Sequence, residues 1–236
     1  MPNIAVCRKM PEIKMKLVIS TRILSFNDMP ELSKQFDRTV LLLRHSMRET
    51  LNHGLDPGLT AEGRDYALQC GKLFTGLTDV SFGASPRKRT IETAQALQEG
   101  GVLGNSEIDI YTGIQDTSLF SRPENLALSL QQGNLPEILG KYFTEGKAPG
   151  TIDLADYSEQ LLNFLTETKF KTKNTILLSH DIICASLLLP HKVYPFKLDD
   201  WCGYIQGGAL LFSGENCYLH YIVPSAANRK KSALFV

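Results

Sequence analysis

The sequence predicts an α/β fold: a three-layer sandwich with a mostly parallel central sheet, an antiparallel edge hairpin and a small capping insertion. Three observations carry this expectation. Two short apolar runs, residues 39–43 and 174–179, stop abruptly at polar residues, as strands covered on both sheet faces do. Segments with helical spacing alternate with such runs, which favours parallel pairing through crossover helices. Near the end of the chain, residues 208–212 and 218–223 flank Ser213-Gly214-Glu215-Asn216, a hairpin signal.

In order along the chain, residues 1–37 show no clean period and read as an irregular or strand-like extension, before a single α/β domain over 38–236. After the strand at 39–43, a polar stretch with Gly and Pro runs from Arg44 to Gly58. Thr60 is placed to cap a helix whose Ala67, Leu68, Gly71 and Leu73 recur at helical spacing. Residues 80–84 form a second strand, and Ser85-Pro86 is expected to open a helix to about Leu97, Pro86 suiting the first turn. Residues 108–111 make a weaker third strand. Residues 105–150, interrupted by Gly113, Pro123, Gly133, Pro136, Gly146, Pro149 and Gly150, read as a cap with two modest helical stretches. Helices are expected over about 153–168 and 182–189, on either side of the strand at 174–179.

Composition limits the function classes. The 236 residues are 43% hydrophobic and 21% charged, and 25 basic side chains match 25 acidic ones. Zero formal charge gives no reason to expect a nucleic-acid or membrane partner. The basic cluster Asn228-Arg229-Lys230-Lys231 reads as a solvated tail. No apolar run approaches the roughly 20 residues needed to span a bilayer. Lys14, Lys16 and Arg22 break any signal-peptide core, so a cytoplasmic location is expected. Cys7, Cys70, Cys184, Cys202 and Cys217 form no C-x-x-C pair and read as reduced structural thiols.

The chemistry gathers where strands end. One run leads into Arg44-His45 and another into Ser179-His180-Asp181, and ligands in open α/β sheets sit beyond the carboxyl ends of strands. A third leads into Ser85-Pro86-Arg87-Lys88-Arg89-Thr90 at a helix start, a place that favours anions. Two imidazoles, several guanidiniums and a carboxylate point to phosphate. Guanidinium forks match its oxygens, and a charge pair about 4 Å apart contributes roughly 4 kcal/mol at an effective dielectric near 20. Neutral imidazole is a competent nucleophile toward phosphorus, and a nearby carboxylic acid can protonate a leaving oxygen.

The run Leu42-Leu43-Arg44-His45-Ser46-Met47-Arg48 resembles the R-H-G signature of the histidine phosphatase superfamily. Leu59-Thr60-Ala61-Glu62-Gly63, Ser85-Pro86-x-x-Arg89-Thr90-x-x-Thr93-Ala94, Ser179-His180-Asp181 and Gly207-Gly208-Ala209 are similar to further segments of that family, in the same order. The resemblance implies a phosphatase, needing no cofactor, that is phosphorylated on His45, with Arg44, Arg89 and His180 holding the phosphoryl oxygens. Arg48 corresponds to a second arginine of the acid-phosphatase-like branch, which places its proton donor at the position of Asp181. The phosphoglycerate-mutase-like branch takes its acid from the stretch after the third strand, here Asp116; Asp181 is the favoured donor. Ser46 replaces the glycine of R-H-G, and Glu49-Thr50 replaces the usual proline after the second arginine.

Each residue also has a plainer reading: His45 and His180 as hydrogen-bonded histidines near a core, and Arg87, Lys88 and Arg89 as a surface run. The ordered segments favour function for His45, His180 and Arg89, and leave Arg87 and Lys88 as solvated charges. No cysteine is followed by arginine six positions later, so the cradle of cysteine phosphatases is missing, and H-E-x-x-H spacing is absent. A mutase returning phosphate to a sugar acid, and a phosphate-binding interaction module without turnover, remain as alternatives. Expected partners are a small phosphorylated metabolite or a phosphoprotein. The six acidic and three basic side chains of residues 105–150 weigh against highly phosphorylated substrates.

Overall fold

The structure, a computed structural model, describes residues 15–50, 56–104, 106–122, 124–197 and 200–225. Cys7 and the basic cluster at 228–231 lie outside them. In chain order the elements are β1 (Lys16–Ser25), α1 (Met29–Gln35), β2 (Arg38–Arg44), α2 (Ala61–Lys72), β3 (Val80–Ala84), α3 (Lys88–Gly101) and β4 (Asp109–Ile110). There follow α4 (Glu124–Gln131), α5 (Leu135–Glu145), α6 (Leu154–Glu167), β5 (Asn174–Ser179), α7 (Asp181–Leu188), β6 (Gly207–Ser213) and β7 (Asn216–Val223).

The seven strands form one sheet in the order β1-β7-β6-β2-β5-β3-β4. Pairing is parallel through β2, β5, β3 and β4 and between β1 and β7, and antiparallel on both sides of β6. The hairpin thus makes the antiparallel side of the sheet. β1, from the segment with no clear period, pairs parallel to β7 outside it.

Strand alternation divides the core. Val40 and Leu42 of β2 face one layer with Leu139, Leu161, Ile183 and Leu187 from α5, α6 and α7. Leu41 and Leu43 face the other with Met29, Ala67, Ala94 and Leu97 from α1, α2 and α3. β2 is buried along nearly its whole length because both its faces are covered, which is why its sequence is a continuous apolar run.

Two boundaries differ from expectation. β4 is only two residues long. α3 starts at Lys88, with Pro86 outside it. Arg87 is extended at the N-cap, and the Lys88 N–H donates to both Asp56 carboxylate oxygens at 3.2 and 3.0 Å. The helix therefore takes its cap from a distant loop instead of from Ser85, whose hydroxyl is used elsewhere.

The second family-like segment works as a clamp. Thr60 Oγ1 accepts from Gly63 N at 2.9 Å and so caps α2, and Thr60 N donates to Met47 O at 3.1 Å. A Cβ on Gly63 would stand 2.1 Å from Met47 O. Only glycine lets α2 approach so closely the loop that leads from His45 to Arg48. Cys70, Cys184, Cys202 and Cys217 are buried free thiols. Among the described residues, no helix is long and apolar enough to cross a membrane.

Candidate active site

The carboxyl ends of β2, β5 and β3 lie side by side, with Arg44 in register with Ser179 and Ala84 with Leu178. The residues just beyond therefore converge. His45 N donates to Ser179 O and Ser85 N to Leu178 O, both at 2.9 Å, so the strand ladder continues into the site. Ser179 Oγ donates to Ile114 O at 2.6 Å, tying down the turn that leads to Asp116.

His45 and His180 face each other with ring centroids 5.5 Å apart. His45 Nδ1 lies 2.6 Å from the Ser46 carbonyl, which only accepts, so the proton is on Nδ1. The free lone pair is on Nε2, to which Arg89 Nε donates at 3.2 Å. The same logic assigns His180. Its Nδ1 lies 3.3 Å from Arg89 Nη2, a donor, so Nε2 carries the hydrogen and donates to Ser85 Oγ at 3.0 Å. Ser85 Oγ in turn donates to Thr90 Oγ1 at 2.9 Å, because the Thr90 hydroxyl is directed at the Ser85 and Arg87 carbonyls. The S-P-x-x-R-T segment therefore supplies both the arginine between the two rings and the hydroxyls that orient one of them.

Arg89 is buried at 8% exposure and holds the site together. Besides the two imidazoles it pairs with Asp116 Oδ2 at 2.8 Å and Asp56 Oδ1 at 3.6 Å. Asp116 Oδ1 also accepts from Arg87 Nε at 3.0 Å and Nη2 at 2.9 Å. Arg87 is thus not a solvated charge: it lines the cavity and shares a carboxylate with Arg89. Lys88 does stay outside, 3.7 Å from Glu92. Arg44 donates to Cys202 O at 2.7 Å, lies 3.5 Å from Asp181 Oδ2 and places its guanidinium 4.3 Å from the Tyr204 ring centre. Arg48 lines the same cavity and donates to Glu49 O at 3.0 Å. Asp181 opens α7, and its Oδ1 accepts from Ile182 N at 3.0 Å.

Ser46 is accommodated without strain. It is not among the described residues with positive φ, and its hydroxyl donates to Gly63 O at 2.7 Å while its N–H donates to Thr93 Oγ1 at 3.0 Å. The Cβ has space and the hydroxyl a partner.

The sequence reading takes Arg87 as a solvated charge and gives no site role to Ser85, Thr93 or Tyr204. Ser85 and Thr93 were within the quoted motif, so only their partners were hidden. Among the described residues, no three His, Cys, Asp or Glu side chains gather as a metal site.

Burial pushes both imidazoles well below the usual value of 6.5, and the guanidinium of Arg89 adds to the effect on each. Both rings are therefore neutral in the folded chain, whereas in the unfolded chain they protonate near 6.5. As pH falls below that value the unfolded state takes up protons first. Stability present at neutral pH should then decline, by up to about 1.4 kcal/mol per pH unit for each ring, until the folded-state value is reached. Thermal melts between pH 7.5 and 5 should show this decline. A double variant His45→Gln, His180→Gln should show a shallower one, and an equal slope in both proteins would contradict the assignment.

A profile of the histidine phosphatase superfamily (branch 1) matches residues 40–191. The chain belongs to the histidine phosphatase superfamily. Solved structures agree on the fold. A phosphoglycerate mutase from Bacillus anthracis str. Sterne is 14% identical with a TM-score of 0.55, over 81% of this chain and 94% of that one. A phosphoserine phosphatase from Entamoeba histolytica, in complex with phosphoserine, is 20% identical with a TM-score of 0.52, over 78% and 96%. A protein described as mycobacterial hydrolase 1 is 19% identical with a TM-score of 0.53, over 79% and 97%. No curated protein matches the chain. A superfamily of phosphatases and mutases supports an enzyme of phosphatase type.

Proposed function

We propose that the protein hydrolyses phosphomonoesters through a phosphohistidine formed at His45 Nε2, without a metal ion. The observation that carries this reading is the aim of that lone pair at Arg89, in a cup that His180 closes from the other side. A phosphoryl dianion entering the cup would take up the arginine forks that line it. In the first step Nε2 attacks phosphorus in line, the bond from phosphorus to the ester oxygen breaks, and a carboxylic acid protonates the departing oxygen. In the second, water attacks the phosphohistidine, the same carboxylate takes its proton, and phosphate leaves.

The donor proposed is Asp116, which reverses the order expected from the sequence. Asp116 stands across a single guanidinium from the nucleophile, and both its partners are cavity arginines that an incoming phosphoryl group would draw away. Asp181 gives one oxygen to the Ile182 N–H at the start of its own helix and turns the other toward Arg44, 3.5 Å away, with no contact to His45 or Arg89 among the described hydrogen bonds and ion pairs. A missing proton donor slows poor leaving groups far more than good ones. Asp116→Asn should therefore lower turnover of an alkyl phosphate by about 10²- to 10⁴-fold while costing much less with p-nitrophenyl phosphate. Asp181→Asn should show no such leaving-group dependence; if it does, the donor is Asp181.

Free phosphate released in step with phenol, rather than an isomerised ester, separates a hydrolase from a mutase. An interaction module would release neither.

A further inference from the structure

The cavity above the cup has a volume of about 760 Å³, within the range of clefts that enclose drug-sized ligands. A phosphoryl group on the floor leaves most of it for the rest of the ester. The floor carries four guanidiniums, Arg44, Arg48, Arg87 and Arg89, against the carboxylates of Glu49, Asp116 and Asp181. That leaves a formal excess of one positive charge, or two with Asp116 protonated as the proposed donor, no more than one phosphoryl dianion already needs. Among the described lining residues nothing cationic is left over for a second anionic group.

The wall is of a different kind. The cap helices and the start of α7 present Leu126, Leu130, Leu135, Pro136, Leu139 and Ile182 to the cavity. The hydroxyl of Ser129, the polar side chain that α4 adds, donates to Asn125 O within its own helix at 2.7 Å. A ligand rich in hydroxyls would leave them unpaired against this wall, which costs affinity. Leu130 is 46% exposed, an apolar side chain left open on the face that bounds the cavity.

We infer that the leaving group is uncharged and apolar: the structure assigns the site to phosphomonoesters of alkyl or aryl alcohols, not to phosphorylated sugars, amino acids or hydroxy acids. The inference rests on the phosphatase reading of the same site, and it concerns the wall rather than the cup.

The test is a substrate series on the unaltered protein: n-butyl, n-hexyl and n-octyl phosphate below their micelle concentrations, 1-naphthyl phosphate, O-phosphoserine, 3-phosphoglycerate and glucose 6-phosphate. Burying each methylene against the wall should raise kcat/KM roughly three- to fourfold, making octyl phosphate better than butyl by about a hundredfold where the whole chain is buried. 1-Naphthyl phosphate should rank with the long alkyl esters and the three polar esters at the bottom. Leu130→Asn, at an exposed position, should flatten the alkyl series. Calorimetric titration of the same alkyl phosphates into His45→Ala protein gives the binding without turnover. A flat series with measurable turnover overturns the apolar class and leaves the phosphatase standing, as does a preference for any polar ester. Affinity that climbs with chain length and no turnover of any ester has the opposite meaning. With neither turnover nor chain-length dependence, both fall.

Discussion

Replacing His45 by alanine should abolish turnover of p-nitrophenyl phosphate, with a loss of about four orders of magnitude or more. The expectation follows from what the ring supplies. In the proposed mechanism its Nε2 is the atom that bonds to phosphorus, and the alternative, His180 Nδ1, belongs to a ring whose other nitrogen is committed to Ser85. Arg44, Arg89 and Arg87 would still bind the ester in the variant, so KM should change far less than kcat. The fold should survive, because His45 borders an open cavity and, among the described residues, the backbone group its ring bonds to is the adjacent Ser46 carbonyl, while the His45 N–H bond to Ser179 O is kept by alanine. A melting temperature within a few degrees of the parent is expected near pH 7.5. Alkaline quenching during turnover should trap an acid-labile phosphoryl group on the parent and none on the variant. Turnover in the variant at a few per cent of the parent rate would remove His45 from the mechanism.

Much of this site could be read from the chain because its groups sit at element boundaries. A buried strand announces its end when apolar residues give way to Arg44-His45 or Ser179-His180, and the parallel topology then brings those ends together. The three-layer arrangement followed from the same alternation. What stayed hidden depends on distances between loops. Arg87 looked like one of three surface charges, since nothing local says that Asp116, 29 residues away, lies within 3.0 Å of it. The true start of α3 was hidden for a similar reason, its cap being supplied by Asp56. The cap shows the limit of composition most clearly. Counting charges over residues 105–150 found an acidic segment, yet the side chains of α4 and α5 that reach the cavity are mainly leucines and a proline. Which face of a short helix points inward is settled by packing, and an acidic average says nothing of the inner surface.

The second large effect is expected at Arg89. One guanidinium donates to His45 Nε2, reaches His180 and pairs with Asp116 and Asp56, so Arg89→Ala removes four contacts at once. The loss in kcat/KM should be about 10³-fold, comparable to deleting a preorganised donor from an oxyanion site. Inorganic phosphate should inhibit much less strongly. Arg89→Lys should restore less than a tenth of the lost activity, because an ammonium is a point charge and cannot span from His45 Nε2 to Asp116 as the fork does. A distinct signature lies in the pH dependence. Arg89 is the leading charged neighbour that holds both imidazoles below their ordinary value, after burial itself. Without it, both rings should protonate at higher pH, and protonated His45 cannot attack. The acid limb of kcat/KM should therefore move upward in Arg89→Ala, whereas loss of a merely structural residue would lower the profile without shifting it. An unshifted limb together with full inhibition by phosphate would show that Arg89 lies outside the phosphoryl site.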